Sequence, residues 1–164
     1  KADNDSATAV WDTDAPLTVK VWTPKKTYTE GESIKIYIQG NRDFYARIVD
    51  ITSSGEIIQL LPNDFRRTYF FEREKVYKIP DKGDKFDLKV TAPFGQDSIV
   101  VYASDVQLGE LRGMQYMGQG LRSFKGSRQA LATQTRGIKV KSVEAASVPA
   151  VEFYEAVWTI ITRK

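Results

Sequence analysis

The chain has 164 residues and a mass of 18.6 kDa, the size of one domain with a substantial core, since such a globule buries roughly 70% of the surface its unfolded chain exposes. It contains no His and no Cys, which removes imidazole bases and ligands, thiol nucleophiles, disulfides and thiolate metal sites. A formal net charge of +3, a 41% hydrophobic share and a mean hydropathy of -0.38 describe a globular composition, neither disordered nor collagen-like.

Residues 1–16 are small and polar, carry Asp3, Asp5, Asp12 and Asp14, and end at Pro16. They are expected to form a flexible acidic tail, with 17–164 as a single domain. The start at Lys1 reads as a processed end from which any signal segment has been removed, and no run approaches the roughly 18 apolar residues of a membrane span.

The periodicity that follows is two. Leu17, Val19 and Val21 alternate with Thr18 and Lys20, and Ile34, Ile36 and Ile38 alternate with Lys35 and Tyr37; both predict half-buried strands. Between them Thr29-Glu30-Gly31-Glu32 is a turn with Gly31 at positive φ. Residues 44–51 and 56–61, joined by Thr52-Ser53-Ser54-Gly55, predict a hairpin that stops at Pro62-Asn63-Asp64, where Asn63 closes a turn on its own backbone. Residues 76–79 form a strand ended by Pro80. Phe86, Leu88 and Val90 alternate, and after the turn at Ala92-Pro93-Phe94-Gly95 the apolar run 99–103 predicts a central strand covered on both faces.

The pattern breaks after residue 104. Residues 108–120, with four glycines and two methionines, predict a long loop. Residues 121–135 predict a short helix with Leu121, Phe124 and Leu131 on one face, stopped by Gly137. A strand over 138–143 and a last one over 151–162, with Tyr154, Ala156, Trp158 and Ile160 on one side, complete the chain. Together these elements predict an all-β fold, an antiparallel β-sandwich of the Ig-like or Greek-key type with about eight or nine strands, one long loop and a short helix.

The string Tyr28-Thr29-Glu30-Gly31-Glu32, then Phe44-Tyr45, Gly55, Leu60-Leu61-Pro62-Asn63, Tyr77-Lys78-Ile79-Pro80, Pro93-Phe94-Gly95 and Ala103-Ser104 resembles, in order and spacing, a bacterial domain of unknown function numbered forty-three eighty-four. Arg136-Gly137-Ile138 and the strand from Phe153 extend the resemblance to about residues 28–162. It implies a β-rich module that is exported or appended to other domains, and hence a periplasmic, outer-membrane associated or extracellular setting. It supplies no catalytic residues.

The remaining residue types give little chemistry. Neither Ser-x-x-Lys nor Gly-x-Ser-x-Gly occurs, Gly113, Gly118 and Gly120 lack phosphate-loop spacing, and Asp12-Thr13-Asp14 is too short for a calcium loop. The carboxylate pairs Asp81 with Asp84 and Glu152 with Glu155 sit in solvated, alternating contexts. No catalytic residue, metal ligand or cofactor is expected. Charge separation is more informative. Between Glu110 and Glu144 no acid occurs, while Arg112, Arg122, Lys125, Arg128, Arg136, Lys139 and Lys141 supply seven positive charges. This segment suits a protein surface, an anionic glycan or lipid headgroups; the plain alternative is a solvated stretch whose arginines pair with Asp43, Asp64 or Asp105. Phe65, Arg67, Tyr69 and Phe70 form a second candidate surface, because three adjacent rings at 69–71 cannot all point inward from a strand. The sequence thus reads as a non-enzymatic binding or assembly module of the bacterial envelope, whose partner is another envelope or secreted protein or a second copy of itself. The alternative is a polyanion-binding domain using 112–141. Specific nucleic-acid recognition is not expected, since no helix-turn-helix, zinc finger or RNP motif accompanies the charge.

Overall fold

Strands that alternate between apolar and polar residues must bury one face each, and in the computed structural model they do so as two packed sheets. The structure describes residues 15–137 and 152–164. Strands β1 (Val19–Trp22), β3 (Ile36–Gly40) and β7 (Tyr77–Ile79) form a small antiparallel sheet in the order β1-β3-β7. The larger sheet runs β2-β11-β8-β4-β5-β10-β9, from β2 (Thr27–Thr29) through β11 (Phe153–Arg163), β8 (Gly95–Ser104), β4 (Phe44–Ile51), β5 (Ile57–Leu61) and β10 (Leu121–Phe124) to β9 (Met114–Gly118). The short β6 (Phe70–Phe71) also pairs with β4. The main core lies between the sheets and includes Val19, Val21, Ile36, Ile38, Phe44, Ile48, Phe71, Ile79, Ile99, Val101 and Ile160.

The central strand β8 is covered on both faces, as its continuous apolar run predicts. Ile99, Val101 and Ala103 enter the main core, while Val100 and Tyr102 enter a second cluster with Val49, Ile57, Phe124 and Leu131 on the outer face of the large sheet. Burying an aliphatic side chain fully is worth about 1.5–3 kcal/mol, so a strand with side chains in both clusters anchors both layers.

The β4–β5 hairpin, the positive φ of Gly31 and the turn closed by Asn63 all match expectation, and Gly55 in the hairpin connection is also at positive φ. The Asn63 carboxamide oxygen accepts from the N–H groups of Phe65 and Arg66 at 2.8 and 2.9 Å, and its amide donates to the Leu60 carbonyl. The 86–90 alternation puts Leu88 and Val90 in the core as read, but the stretch forms no extended ladder: an isolated bridge from Lys89 to Ser33 and backbone hydrogen bonds such as Ile34 N–H to the Leu88 carbonyl at 2.7 Å tie it to residues 31–34. Strand β2 was not anticipated and pairs in parallel with β11, the one parallel pairing among the described strands. Eleven strands are described, more than the eight or nine expected.

The segment after residue 104 requires two corrections. Residues 108–120 are not one long loop: 114–118 form β9, which turns through Gln119 and Gly120, both at positive φ (56° and 80°), into β10. A two-residue turn with both central residues left-handed matches the twist of a hairpin. Residues 121–124 therefore belong to a strand, and the helix α1 begins later, at Arg128–Arg136. Phe124 and Leu131 still share the outer cluster, but across two elements rather than on one helix face. Ser127 caps α1 by accepting from the Ala130 N–H, and Gly137 ends it in the left-handed conformation (φ 63°, ψ 45°), as expected of that glycine. The expected tail up to residue 14 and the expected strand over 138–143 lie outside the described residues.

The loop 105–113 is fastened to the end of α1. Gly109 donates to the Thr135 carbonyl at 2.9 Å, and the Arg112 N–H donates to the Gln134 side chain at 2.7 Å. A Cβ at Gly109 would stand 2.1 Å from the Gln134 carbonyl oxygen and 2.8 Å from the Gly137 Cα, both backbone atoms. Gly109→Ala should therefore prise the loop from the helix and cost about 2–3 kcal/mol, as overpacking does. A urea melt checks this, and a variant as stable as the parent would show that the loop moves freely.

Candidate functional site

The two segments singled out in the sequence meet in space. After β5 the chain turns at Asn63 and presents Asp64 and Phe65 toward the β9–β10 hairpin. The Asp64 carboxylate receives Arg122 of β10 at 2.5 Å and lies 3.9 Å from Arg67. The Asp64 N–H donates to the Gly120 carbonyl. The Phe65 ring lies where a Cβ of Gly120 would be, 2.4 Å from that position, and stacks on Phe86 at 6.4 Å. Glycine at 120 is thus required twice, for the left-handed turn and for the ring above it.

Tyr116 completes the patch. Its hydroxyl accepts from the Gly120 N–H at 3.1 Å, and the Arg122 guanidinium sits 5.3 Å from its ring centre. The result is a surface of two aromatics and two arginines in which Phe65 is 52% and Tyr116 56% exposed, beside a similarly open Met117. Tyr116 and Met117 lie on β9, the last strand of the large sheet among the described residues.

The three rings at 69–71 diverge as their crowding requires. Phe71 is fully buried and stacks on Phe44 at 5.2 Å, Phe70 is partly exposed beside Tyr45, and Tyr69 turns toward a hollow on the outer face of the large sheet.

The basic segment is not a continuous face. Arg122 is neutralised by Asp64, as one of the anticipated internal pairings has it, and Arg128 pairs with Glu155 of β11. This second pair offsets a cation at the N-terminus of α1, where the helix dipole disfavours positive charge. Arg136, in the last turn where a cation is favoured, lies over the Phe153 ring. Arg112 and Lys125 are exposed, and Lys139 and Lys141 lie outside the described residues. Asp105 is engaged by Arg42, and Asp43 accepts from the Arg73 N–H.

The carboxylate pairs read from sequence do not converge on a cleft. Glu152 accepts from the Leu17 N–H and pairs with Arg42, which together hold its carboxyl below the usual range, the Leu17 contact first. Asp84 pairs with Arg66 at 2.9 Å and accepts from the Asp81 N–H. Sequence reasoning missed the acids that do converge. Asp50 of β4 and Asp97 of β8 both point into the interface between the sheets, because Asp50 stands opposite Ile99 and Asp97 shares the parity of Ile99 and Val101. Burial, then the hydrogen bond and charge of Asp97, push the Asp50 carboxyl up to about 8. Burial also raises Asp97. One Asp in each of two β-rich runs gave no local sign, although an acid on the apolar parity of its own strand was the available clue.

Comparison with known families adds one finding. Residues 27–107 match the family model of DUF4384, a domain of unknown function. The resemblance is borne out over this stretch, from β2 through β8, while β9, β10, α1 and β11 lie beyond the match. Of the candidate patch, Phe65 and Arg67 fall inside the DUF4384 segment and Tyr116 and Arg122 outside it. No curated protein and no solved structure matches the chain.

Proposed function

We propose that this domain is a non-enzymatic binding module of the bacterial cell envelope that works through protein contacts. The observation that carries this reading is the joining of two separate segments at Asp64, which sets Phe65, Arg67, Tyr116 and Arg122 on one surface with both rings half exposed. Aromatic and arginine side chains dominate the energetics of protein interfaces because they give large contact area together with hydrogen-bonding capacity. The hydrogen-bonded pairing of Arg122 to Asp64 fixes its direction before a partner arrives, which lowers the ordering cost of binding, while Arg67 stays exposed at the rim. An exported setting, with an envelope or secreted protein as partner, follows from the resemblance of the sequence. The converging acids Asp50 and Asp97 face the sandwich interior, away from the hollow beside Tyr69. Binding of polyanions by 112–141 draws less support, because Arg122 and Arg128 are already neutralised.

Photo-crosslinking tests the reading. A benzophenone amino acid at position 116 or 65, in the protein expressed in its own envelope, should give one discrete adduct. The same group at Lys125 should give none, and Arg67→Glu should weaken the adduct about tenfold. Equal labelling from all three positions, or none from 116 and 65, would remove this patch as the contact surface.

A further inference from the structure

A second site lies on the outer face of the large sheet, apart from the patch just described except for Arg122. Strand register sets a polar row across this face. Arg47 stands opposite Tyr102, and Arg122 stands opposite both Gln59 and Tyr116. Arg47 is only 7% exposed. Its guanidinium donates to Gln59 Oε1 at 2.8 Å, Thr135 Oγ1 at 2.6 Å and the Gly109 carbonyl at 3.1 Å. All three acceptors are neutral, and among the described residues no carboxylate lies within ion-pair distance of Arg47. A guanidinium has five N–H groups, so two remain without an acceptor among the described residues. A buried charge without a counter-ion is costly, and burial accordingly lowers the Arg47 pKa to about 10.

The same guanidinium lines a hollow of about 270 Å³. The other walls are mainly apolar or aromatic, including Tyr69, Leu108, Leu111 and Met114. Arg122 reaches this hollow too, but its charge is matched by Asp64. Among the described residues the site therefore presents one uncompensated positive charge beside apolar walls. A dianionic phosphate would need a second free cation, and a neutral apolar ligand would leave Arg47 buried without a counter-ion. Glu110, exposed at the rim, adds a negative charge that disfavours multiply charged anions further.

We propose that this hollow binds a monoanionic carboxylate carrying a small apolar group, with Arg47 receiving the carboxylate and Leu111 and Met114 holding the apolar part. The carboxylate belongs either to a free acid or to the C-terminus of a peptide.

Nitrogen-15 NMR of the arginine side chains tests this, with hexanoate, hexanol, inorganic phosphate, and a leucine-ended tripeptide in free-acid and amidated forms as probes. Hexanoate or the free-acid peptide should shift the Arg47 Nε–H signal saturably, while hexanol, phosphate and the amidated peptide should not. A larger response to the peptide assigns the site to a partner C-terminus, and a larger response to hexanoate assigns it to a free acid; either supports the site. Since Arg47→Ala would also loosen the fold, Leu111→Trp is the informative variant: it fills the hollow without touching the guanidinium and should weaken binding about tenfold or more. Glu110→Gln should tighten it by removing the like charge at the rim. No saturable shift at Arg47, an equal response to hexanol, or unchanged binding in Leu111→Trp would each overturn the proposal.

Discussion

Asp50→Asn is expected to stabilise the domain at neutral and alkaline pH and to flatten its stability across the range in which the parent loses it. In the folded protein, burial, the hydrogen bond to Asp97 and the Asp97 charge keep the Asp50 proton on up to about 8. The unfolded chain releases that proton near pH 4. Between about pH 4 and pH 8 the native state thus binds more protons than the unfolded state, so stability falls as pH rises, by up to about 1.4 kcal/mol per unit. The ceiling is roughly 5–6 kcal/mol, and relaxation around the pair brings the expected loss to about 2–4 kcal/mol. Both Oδ1 atoms of the pair are buried without a partner among the described residues, so the carboxyls have little else to stabilise an ionised state. Asparagine at 50 donates its amide to Asp97 with no proton uptake, and the slope disappears. Urea midpoints taken at about pH 4.5, 6, 7 and 8.5 should nearly coincide for parent and variant at the acid end and separate steadily above it. A variant that keeps the parental slope would show that the acid pair does not hold the proton.

Arg47→Ala is expected to cost about 3–4 kcal/mol, near the upper end for breaking a buried charged network. Its side chain joins three parts of the fold. It reaches Gln59 on β5, Thr135 in the last turn of α1, and Gly109 in the loop that α1 fastens. Deleting it leaves Thr135, itself buried, and two further acceptors without their donor, although the desolvation cost of the guanidinium is relieved at the same time. The loss should be unevenly distributed. Amide hydrogen exchange in α1 and residues 105–113 should accelerate far more than in β8, whose ladders to β4 and β11 do not involve the side chain. Uniform acceleration would mean that Arg47 supports the whole sandwich rather than this one attachment. Arg47→Lys keeps the charge but loses the fork that reaches three acceptors, and should recover little of the deficit.

The strands with period-two patterning were legible because alternation, turn residues and length are local. β4, β5 and β8 could be read for that reason, and the double coverage of β8 followed from its unbroken apolar run. The β9–β10 hairpin was misread because Gly118-Gln119-Gly120 resembles loop composition. Met114, Tyr116, Arg122 and Phe124 acquire a strand's parity only once the left-handed turn at 119–120 is known. Strand β2 has three residues and finds its partner at the far end of the chain, so no local pattern could announce it. The candidate residues Phe65, Arg67 and Arg122 were recognisable as surface types, but Tyr116 was not singled out and their meeting was not legible.

Read alone, the residue list established what the domain does not carry, no imidazole and no thiol, and which stretches alternate into strands, because composition and nearest-neighbour geometry are properties of the chain itself. The net charge of +3 and the seven cations between Glu110 and Glu144 were equally plain, yet their electrostatic meaning was not. Register and packing decided that. They placed Asp64 beside Arg122 and Glu155 beside Arg128, left Arg47 in the outer face with no carboxylate beside it among the described residues, and drove Asp50 and Asp97 together between the sheets. Whether a charge is matched, bare or forced to hold its proton depends on neighbours many residues away, and only the folded chain brings those neighbours within reach.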